Sequence, residues 1–154
     1  LYGSKIEYYK GLSKNSELKQ KYPVITEIMP LVGGFWGYEA GLDVVRSQCA
    51  NHGVDIAKYL AALERENEPV AKKIKEIDQN FDGLDIARLE IPSKAITKKQ
   101  LLERDIDYVV NLANVYSTSS EKICSSLVTN RAIFIKGESF KVKFATVYDE
   151  LMAM

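Results

Sequence analysis

Residues 54–81 carry the pattern that most constrains how this chain can fold. Apolar residues recur there at alternating steps of four and three, which places them on one side of a helix. Such a stripe is a packing seam, so it predicts a long helix that lies alongside at least one other. Pro69 lies inside it, and because the stripe keeps its phase across the proline we expect one kinked helix rather than a restart at Pro69. The seam consists of Ile56, Leu60, Leu63, Asn67, Val70, Ile74, Ile77 and Phe81.

A second stripe with the same spacing lies later in the chain. It follows Thr97, which forms a capping-box pattern with Gln100. Unbroken, this helix would be about 45 Å long at 1.5 Å per residue, long enough to pair with the first. Its weak point is 117–120, because short hydroxyl side chains compete for backbone hydrogen bonds. The stripe consists of Leu102, Ile106, Val109, Ala113, Tyr116, Ser120, Ile123 and Leu127.

The flanking segments also favour helices. Residues 2–9 predict a short first helix, and Pro23 is well placed to begin another, which Pro30 would kink or shorten. A further helix over 38–51 should end at Gly53, which can take the left-handed conformation at a helix end.

The end of the chain is compatible with two structures. Phe140, Val142 and Phe144 alternate with lysines as in a strand, and residues 133–135 are β-prone, so a small hairpin with its turn at Gly137 remains open. We favour a final helix over 139–152, because no other segment offers a partner sheet.

Length and composition complete the fold prediction. A chain of 154 residues, 46% of them hydrophobic, can bury a core as one domain. We therefore predict a single all-α domain over residues 1–154: a bundle of five or six helices with two long paired helices and a possible small C-terminal hairpin.

Charge and hydropathy limit the partners that we expect. Lys plus Arg and Asp plus Glu number 21 each, so no net field attracts nucleic acid or an anionic membrane surface. No apolar run approaches the roughly 20 residues that span a bilayer, so we expect no membrane insertion. Because the chain begins with Leu1 rather than Met, we expect it to start inside a longer gene product or after a removed signal peptide.

Cys49 and Cys124 are the only cysteines, and each falls on an apolar helical face. Buried free thiols would be at home there, and a disulfide is equally compatible with the pattern. A disulfide would imply an oxidising compartment, and on that basis localisation leans towards export to a periplasm or the extracellular space.

The segment 33–41 has the least ordinary composition in the chain, with three aromatic residues among four glycines. Glycines allow close backbone approach, and an aromatic cluster can wall a small apolar site or anchor a protein partner. Phe35, Trp36 and Tyr38 are therefore the candidate ligand- or partner-binding residues. The alternative is a tight turn between helices with core aromatics.

A short motif at the end of the first seam resembles the first half of an EF-hand calcium loop. Asp78, Asn80 and Asp82 would supply side-chain oxygens and Leu84 a carbonyl. The twelfth position, which should be a bidentate carboxylate, is Leu89. The alternative is an ordinary helix end, so calcium is the one cofactor that we consider.

Two polar residues interrupt the stripes, namely Asn67 and Ser120. They either fix the register of the helices or line a polar internal pocket with tyrosines such as Tyr59, Tyr108 or Tyr116.

Catalytic signatures are absent from the sequence. His52 is the only histidine, and no nucleophile elbow or triad spacing is present. We therefore expect a non-enzymatic binding or interaction module for a protein partner or a small ligand. The alternative is a helical-bundle enzyme whose general acid and base come from Glu103, Asp105 or Asp107.

Overall fold

In a computed structural model the chain is built from helices. The structure describes residues 23–81, 101 and 103–154, and this part of the chain contains no β-strand. The all-α prediction is confirmed, although the described residues form eight helices where five or six were predicted. The described helices are α1 (Pro23–Asn51), α2 (Ala57–Glu66), α3 (Glu68–Phe81), α4 (Tyr108–Val115), α5 (Ser120–Thr129), α6 (Arg131–Glu138), α7 (Phe140–Lys143) and α8 (Ala145–Met152).

Helix α1 is the longest element, with 29 residues and a length of about 43 Å. It runs through Pro30 and through the glycine-rich segment 33–41, so the turn considered there is wrong. Proline and glycine weaken an isolated helix, but the buried face of α1 packs along its length and outweighs that cost. The helix ends as expected, with Gly53 at φ +75°. None of the described helices combines the length and apolar character needed to cross a bilayer.

The first seam is divided between α2 and α3. The two helices are separated only by Asn67, whose N–H donates to the Leu63 carbonyl at 2.9 Å while its carbonyl accepts from Ala71 N–H at 3.0 Å. The phase of the seam is therefore kept, as predicted, although the element is two helices rather than one. Pro69 lies in the first turn of α3, where its missing N–H has no intrahelical partner to lose.

The second stripe is not one long helix, so the prediction of two long paired helices is wrong. Its part from Val109 to Leu127 forms α4 and α5, which pack against each other, whereas Ile106 precedes α4. The break lies at the predicted weak point, where Ser117 takes a left-handed φ of +53° and Thr118 N–H donates to the Ala113 carbonyl. The stripe therefore folds back on itself. The proposed cap at Thr97 and Gln100, like the first helix over 2–9, lies outside the described residues.

The C-terminal hairpin is also wrong, because residues 133–135 lie in α6. The predicted final helix is present as two pieces, α7 and α8, which meet at Phe144. Ser139 begins α7 by accepting a hydrogen bond from Val142 N–H through its hydroxyl. Phe140 and Leu151 are fully buried, as the helical pattern indicates, but Phe144, which shares that pattern, is exposed like Val142.

The described helices enclose two hydrophobic cores. The first, which we call the stapled core, contains the disulfide between Cys49 of α1 and Cys124 of α5, with a Cα–Cα distance of 5.5 Å. Its buried residues are Val45, Cys49, Ile56, Tyr59, Leu63, Val109, Ala113, Ile123, Cys124, Leu127 and Phe134. The second, the aromatic core, consists of Ile28, Val32, Phe35, Tyr38, Val70, Ile74, Ile77, Phe140 and Leu151.

Candidate functional site

A half-open, mainly apolar cleft of about 410 Å³ lies beside α1, where the two cores meet. Its floor is one face of α1, and α4 forms the opposite wall. The floor residues are Gly34, Gly37, Tyr38, Gly41, Leu42 and Val45. The α4 wall consists of Tyr108, Asn111, Leu112 and Val115, and the rest of the lining is Tyr59, Leu101, Glu138, Lys143 and Phe144.

Three glycines leave part of the cleft floor without side chains. Gly34, Gly37 and Gly41 follow at steps of three and four, so all three lie on the same side of α1. A Cβ atom at Gly41 would lie 3.8 Å from Tyr108 Cε1, and one at Gly34 would lie 3.9 Å from Val147 Cγ1. These are ordinary contact distances, so alanine fits at both positions.

One side chain of α1 fixes the start of the α4 wall through hydrogen bonds. Gln48 of α1 donates from Nε2 to the Ile106 carbonyl at 3.1 Å and accepts from Val109 N–H at 3.0 Å. Asp107 caps the same helix by accepting from Val110 N–H at 3.0 Å. Two of the N–H groups at the start of α4 are therefore satisfied, and the start of the wall is fixed relative to the floor.

Among the described residues, Glu138 and Lys143 are the only charged ones in the cleft lining. Lys143 Nζ donates to Glu138 Oε2 at 2.7 Å. The two side chains differ in burial, since that of Glu138 is 7% exposed and that of Lys143 is 45% exposed. The cleft therefore has a buried carboxylate on its wall whose cationic partner reaches solvent.

A buried hydrogen-bond network lies behind this carboxylate. The Tyr38 hydroxyl donates to the Glu138 carbonyl at 2.6 Å and accepts from Asn67 Nδ2 at 3.0 Å. Asn67 Oδ1 accepts from Phe140 N–H at 2.9 Å, which satisfies an amide at the start of α7. Asn67 thus ties the α2–α3 junction to α1 and α7, and this structural role accounts for the polar break in the first seam.

Three tyrosines around Glu138 are held in their neutral form. Burial is the main cause in each case, and the negative charge of Glu138 adds to it. The pKa of Tyr116 is raised to about 12, with a hydrogen bond to Glu138 as a further cause. The pKa values of Tyr38 and Tyr59 are raised further, although the hydrogen bond from Asn67 lowers that of Tyr38. All three phenols therefore stay neutral to a higher pH than an ordinary tyrosine does.

The three aromatic residues that the sequence nominated for binding occupy different environments. Phe35 is buried in the aromatic core, with its ring centroid 5.1 Å from that of Phe140. Trp36 is partly buried against the same core. Tyr38 alone of the three lines the cleft. Tyr59 and Tyr108, which were expected in an internal pocket with Asn67, line it as well, and Ser120 is absent from its lining.

The other sequence candidates that the structure describes are absent from the cleft lining. Asp78 and Asn80 are in the last turns of α3, while Asp82 and Leu84 lie outside the described residues, so calcium binding stays a prediction. Within the described part of the chain, no group of three or more His, Cys, Asp or Glu side chains is placed to hold a metal ion. Glu103, Asp105 and Asp107, the acids of the enzyme alternative, are all exposed, and His52 is exposed too.

Glu138, Lys143 and the glycine floor were not predicted from the sequence. A signal for Glu138 was present, because it lies four residues after Phe134 and therefore shares a buried helical face with it. The β-prone residues 133–135, which left a hairpin open as an alternative, hid that spacing. The close approach of Tyr116 was not visible either: a Cβ atom at Gly137 would lie 2.6 Å from the Tyr116 hydroxyl, so only glycine fits there without a shift.

Comparison with known proteins gives no family assignment. No protein-family model, no curated protein and no solved structure matches this chain.

Proposed function

We propose that this chain is a non-enzymatic binding module that holds a small amphipathic molecule in the cleft between α1 and α4. The observation that carries the proposal is the cleft itself, with its mainly apolar lining and one buried carboxylate. Its volume of about 410 Å³ lies within the roughly 300–1,000 Å³ range of small-molecule sites, which are typically apolar with a few polar groups. A recess of this size suits a small molecule better than the broad surface of a protein partner.

The glycines of α1 support this interpretation. Each glycine in a helix interior costs about 1 kcal/mol relative to alanine. A Cβ atom at Gly41 or Gly34 would make ordinary contacts, so packing alone does not require glycine at either position. The floor thus keeps open space at the expense of helix stability, as a binding site would.

The test compares two leucine variants of α1. Gly41→Leu places a side chain in the cleft, whereas Gly33→Leu is a matched control, because Gly33 is outside the lining and a Cβ there meets no atom within 4 Å. Both variants make the same change in helix propensity. A panel of phenylalkyl amines, alcohols and carboxylates is screened by melting temperature, and the compounds that raise it are titrated by calorimetry.

We expect at least one compound to stabilise the wild type and Gly33→Leu equally and to bind Gly41→Leu at least about tenfold more weakly, a difference of about 1.4 kcal/mol. Equal binding by the two variants would contradict the proposal, because the compound would then bind somewhere else. The proposal would also be contradicted if no compound in the panel raised the melting temperature.

We further propose that the chain matures in an oxidising compartment, as an exported protein does. The Cys49–Cys124 disulfide supports this, because such bonds persist outside the reducing cytosol. Protein isolated without reductant should have an intact mass lower than that of the dithiol by two hydrogens. The dithiol mass would contradict the proposal.

A further inference from the structure

The charged pair in the cleft wall indicates which charge a ligand should carry. Lys143 and Glu138 are in contact at 2.7 Å, yet the lysine side chain is 45% exposed and the glutamate side chain only 7%. Lys143 can move its ammonium group fully into water, where hydration replaces the contact with Glu138. Glu138 has no comparable path to solvent, so its charge has to be compensated within the cleft.

This asymmetry favours a cationic ligand over an anionic one. An ammonium ion that replaces Lys143 keeps the buried carboxylate paired and releases Lys143 to solvent. An anion that recruits Lys143 would leave Glu138 buried without a cation, and an uncompensated buried charge is strongly unfavourable. A neutral ligand would leave the existing pair in place and gain only apolar contacts.

The rings around the same carboxylate favour a cation as well. Tyr38, Tyr59, Tyr108 and Phe144 all line the cleft with Glu138. The rings of Tyr38 and Phe144 meet at 76° with centroids 5.9 Å apart, so they form a corner. The faces of aromatic rings attract cations, and cages of such rings bind organic ammonium ions.

On the premise that the proposed function is correct, we propose that the ligand is an organic ammonium ion with an apolar body. Its charged group pairs with Glu138 and its body lies along the glycine floor of α1. Lys143 is the internal substitute for that cation, and the ligand displaces it into solvent.

The test uses three probes with the same body, namely phenylbutylammonium, phenylbutanol and phenylbutyrate, titrated into the full chain by calorimetry. The ammonium probe should bind about tenfold or more tightly than either of the others, since it alone can pair with the buried carboxylate. Binding of the alcohol or the carboxylate with equal or higher affinity would overturn the inference, while the cleft would remain a binding site. A series in which no member binds would overturn it too.

The variants separate pairing with Glu138 from displacement of Lys143. Glu138→Gln should weaken the ammonium probe about tenfold and leave phenylbutanol unchanged. Lys143→Met removes the internal competitor and should strengthen the ammonium probe about fivefold. Lys141→Met is the matched control: Lys141 is also on α7, lies over the Tyr148 ring and is outside the cleft lining, so its loss should change nothing.

Two outcomes would overturn the displacement of Lys143 by the ligand, even if phenylbutylammonium binds. Weaker ammonium binding by Lys143→Met would mean that the lysine assists the ligand rather than competing with it. Equal strengthening by Lys141→Met would mean that only the overall charge of the protein matters. Lys143→Met keeps the test decisive if Glu138→Gln fails to fold, which circular dichroism would show.

Discussion

The stapled core and the aromatic core use the same long helix but are held together differently. In the stapled core a disulfide joins α1 to α5. In the aromatic core the fully buried Phe140 packs among Phe35, Tyr38 and Phe144, and hydrogen bonds through Asn67 tie the helices together. One half of the structure is therefore covalently restrained, whereas the other depends on packing and polar contacts alone.

The cleft lies between these two halves and takes lining residues from both. Tyr38 belongs to the aromatic core, Val45 and Tyr59 belong to the stapled core, and Leu42 packs against both. A ligand in the cleft would therefore contact a covalently restrained surface on one side and an unrestrained one on the other. We expect the aromatic core to open more readily, because α7, α8 and the part of α1 that it uses lie outside the loop between Cys49 and Cys124, and only its α3 residues lie within that loop.

The largest expected effect comes from removing the disulfide. The bond closes a sequence separation of 75 residues, and in the chain-entropy model such a loop contributes about 4 kcal/mol. The double change Cys49→Ala and Cys124→Ala should therefore lower the free energy of unfolding by about 4 kcal/mol in urea titrations. Amide hydrogen exchange should then be fastest in α5, which reverses the order of the two cores. We expect α8 of the aromatic core to exchange first in the wild type. If α8 still exchanged before α5 in the double variant, the proposed difference between the cores would be wrong.

A smaller effect is expected from breaking the polar bridge of the aromatic core. Asn67→Ala leaves Phe140 N–H buried without an acceptor and removes one partner of Tyr38. The free energy of unfolding should fall by about 2 kcal/mol. The exposed Asn114 offers a control, since Asn114→Ala should cost less than about 0.5 kcal/mol. Exchange should accelerate in α7 and α8 but not in α5, and equal acceleration in α5 would show that the cores do not open separately.

The smallest effect is confined to alkaline pH. The pKa values of Tyr38 in the aromatic core and Tyr59 in the stapled core both lie above the ordinary value of 10.0. Because the folded state holds the neutral phenol, the stabilisation is fully present below about pH 10 and is lost as the pH rises towards the folded-state pKa. Stability should be flat up to about pH 10 and fall above it, with a shallower fall in Tyr38→Phe and in Tyr59→Phe. A fall that neither variant makes shallower would contradict the burial of both hydroxyls.

Helical periodicity predicted much of the burial pattern but not how the helices are joined. The first seam was identified correctly, since Ile56, Leu63, Val70 and Ile74 are all buried. The pattern did not reveal that Asn67 divides the seam between two cores, because periodicity gives the face of a helix and not its partner. The second stripe had the same limitation: its spacing persists through a turn at Ser117, so a folded pair of helices has the same signature as one long helix.

The cleft was less predictable than the fold, because part of its floor consists of glycines, which have no side chains. Glycines at 34, 37 and 41 suggested a turn, since glycine usually interrupts helices. The tertiary packing of α1 overrode that preference and made the same residues the floor of a cleft. The pairing of Glu138 with Lys143 depends on the bend between α6 and α7, which the competing strand pattern concealed.

The most direct test of the account is to locate the bound phenylbutylammonium probe by amide chemical-shift mapping. If the glycine face of α1 is a binding site, the largest shifts will lie on the floor of the cleft around Gly37 and Gly41, on the α4 wall at Leu112 and Val115, and at Glu138. These shifts should disappear in Gly41→Leu and persist in Gly33→Leu. Shifts concentrated on other surfaces, or unchanged in Gly41→Leu, would contradict the claim that the glycine face of α1 forms a binding site.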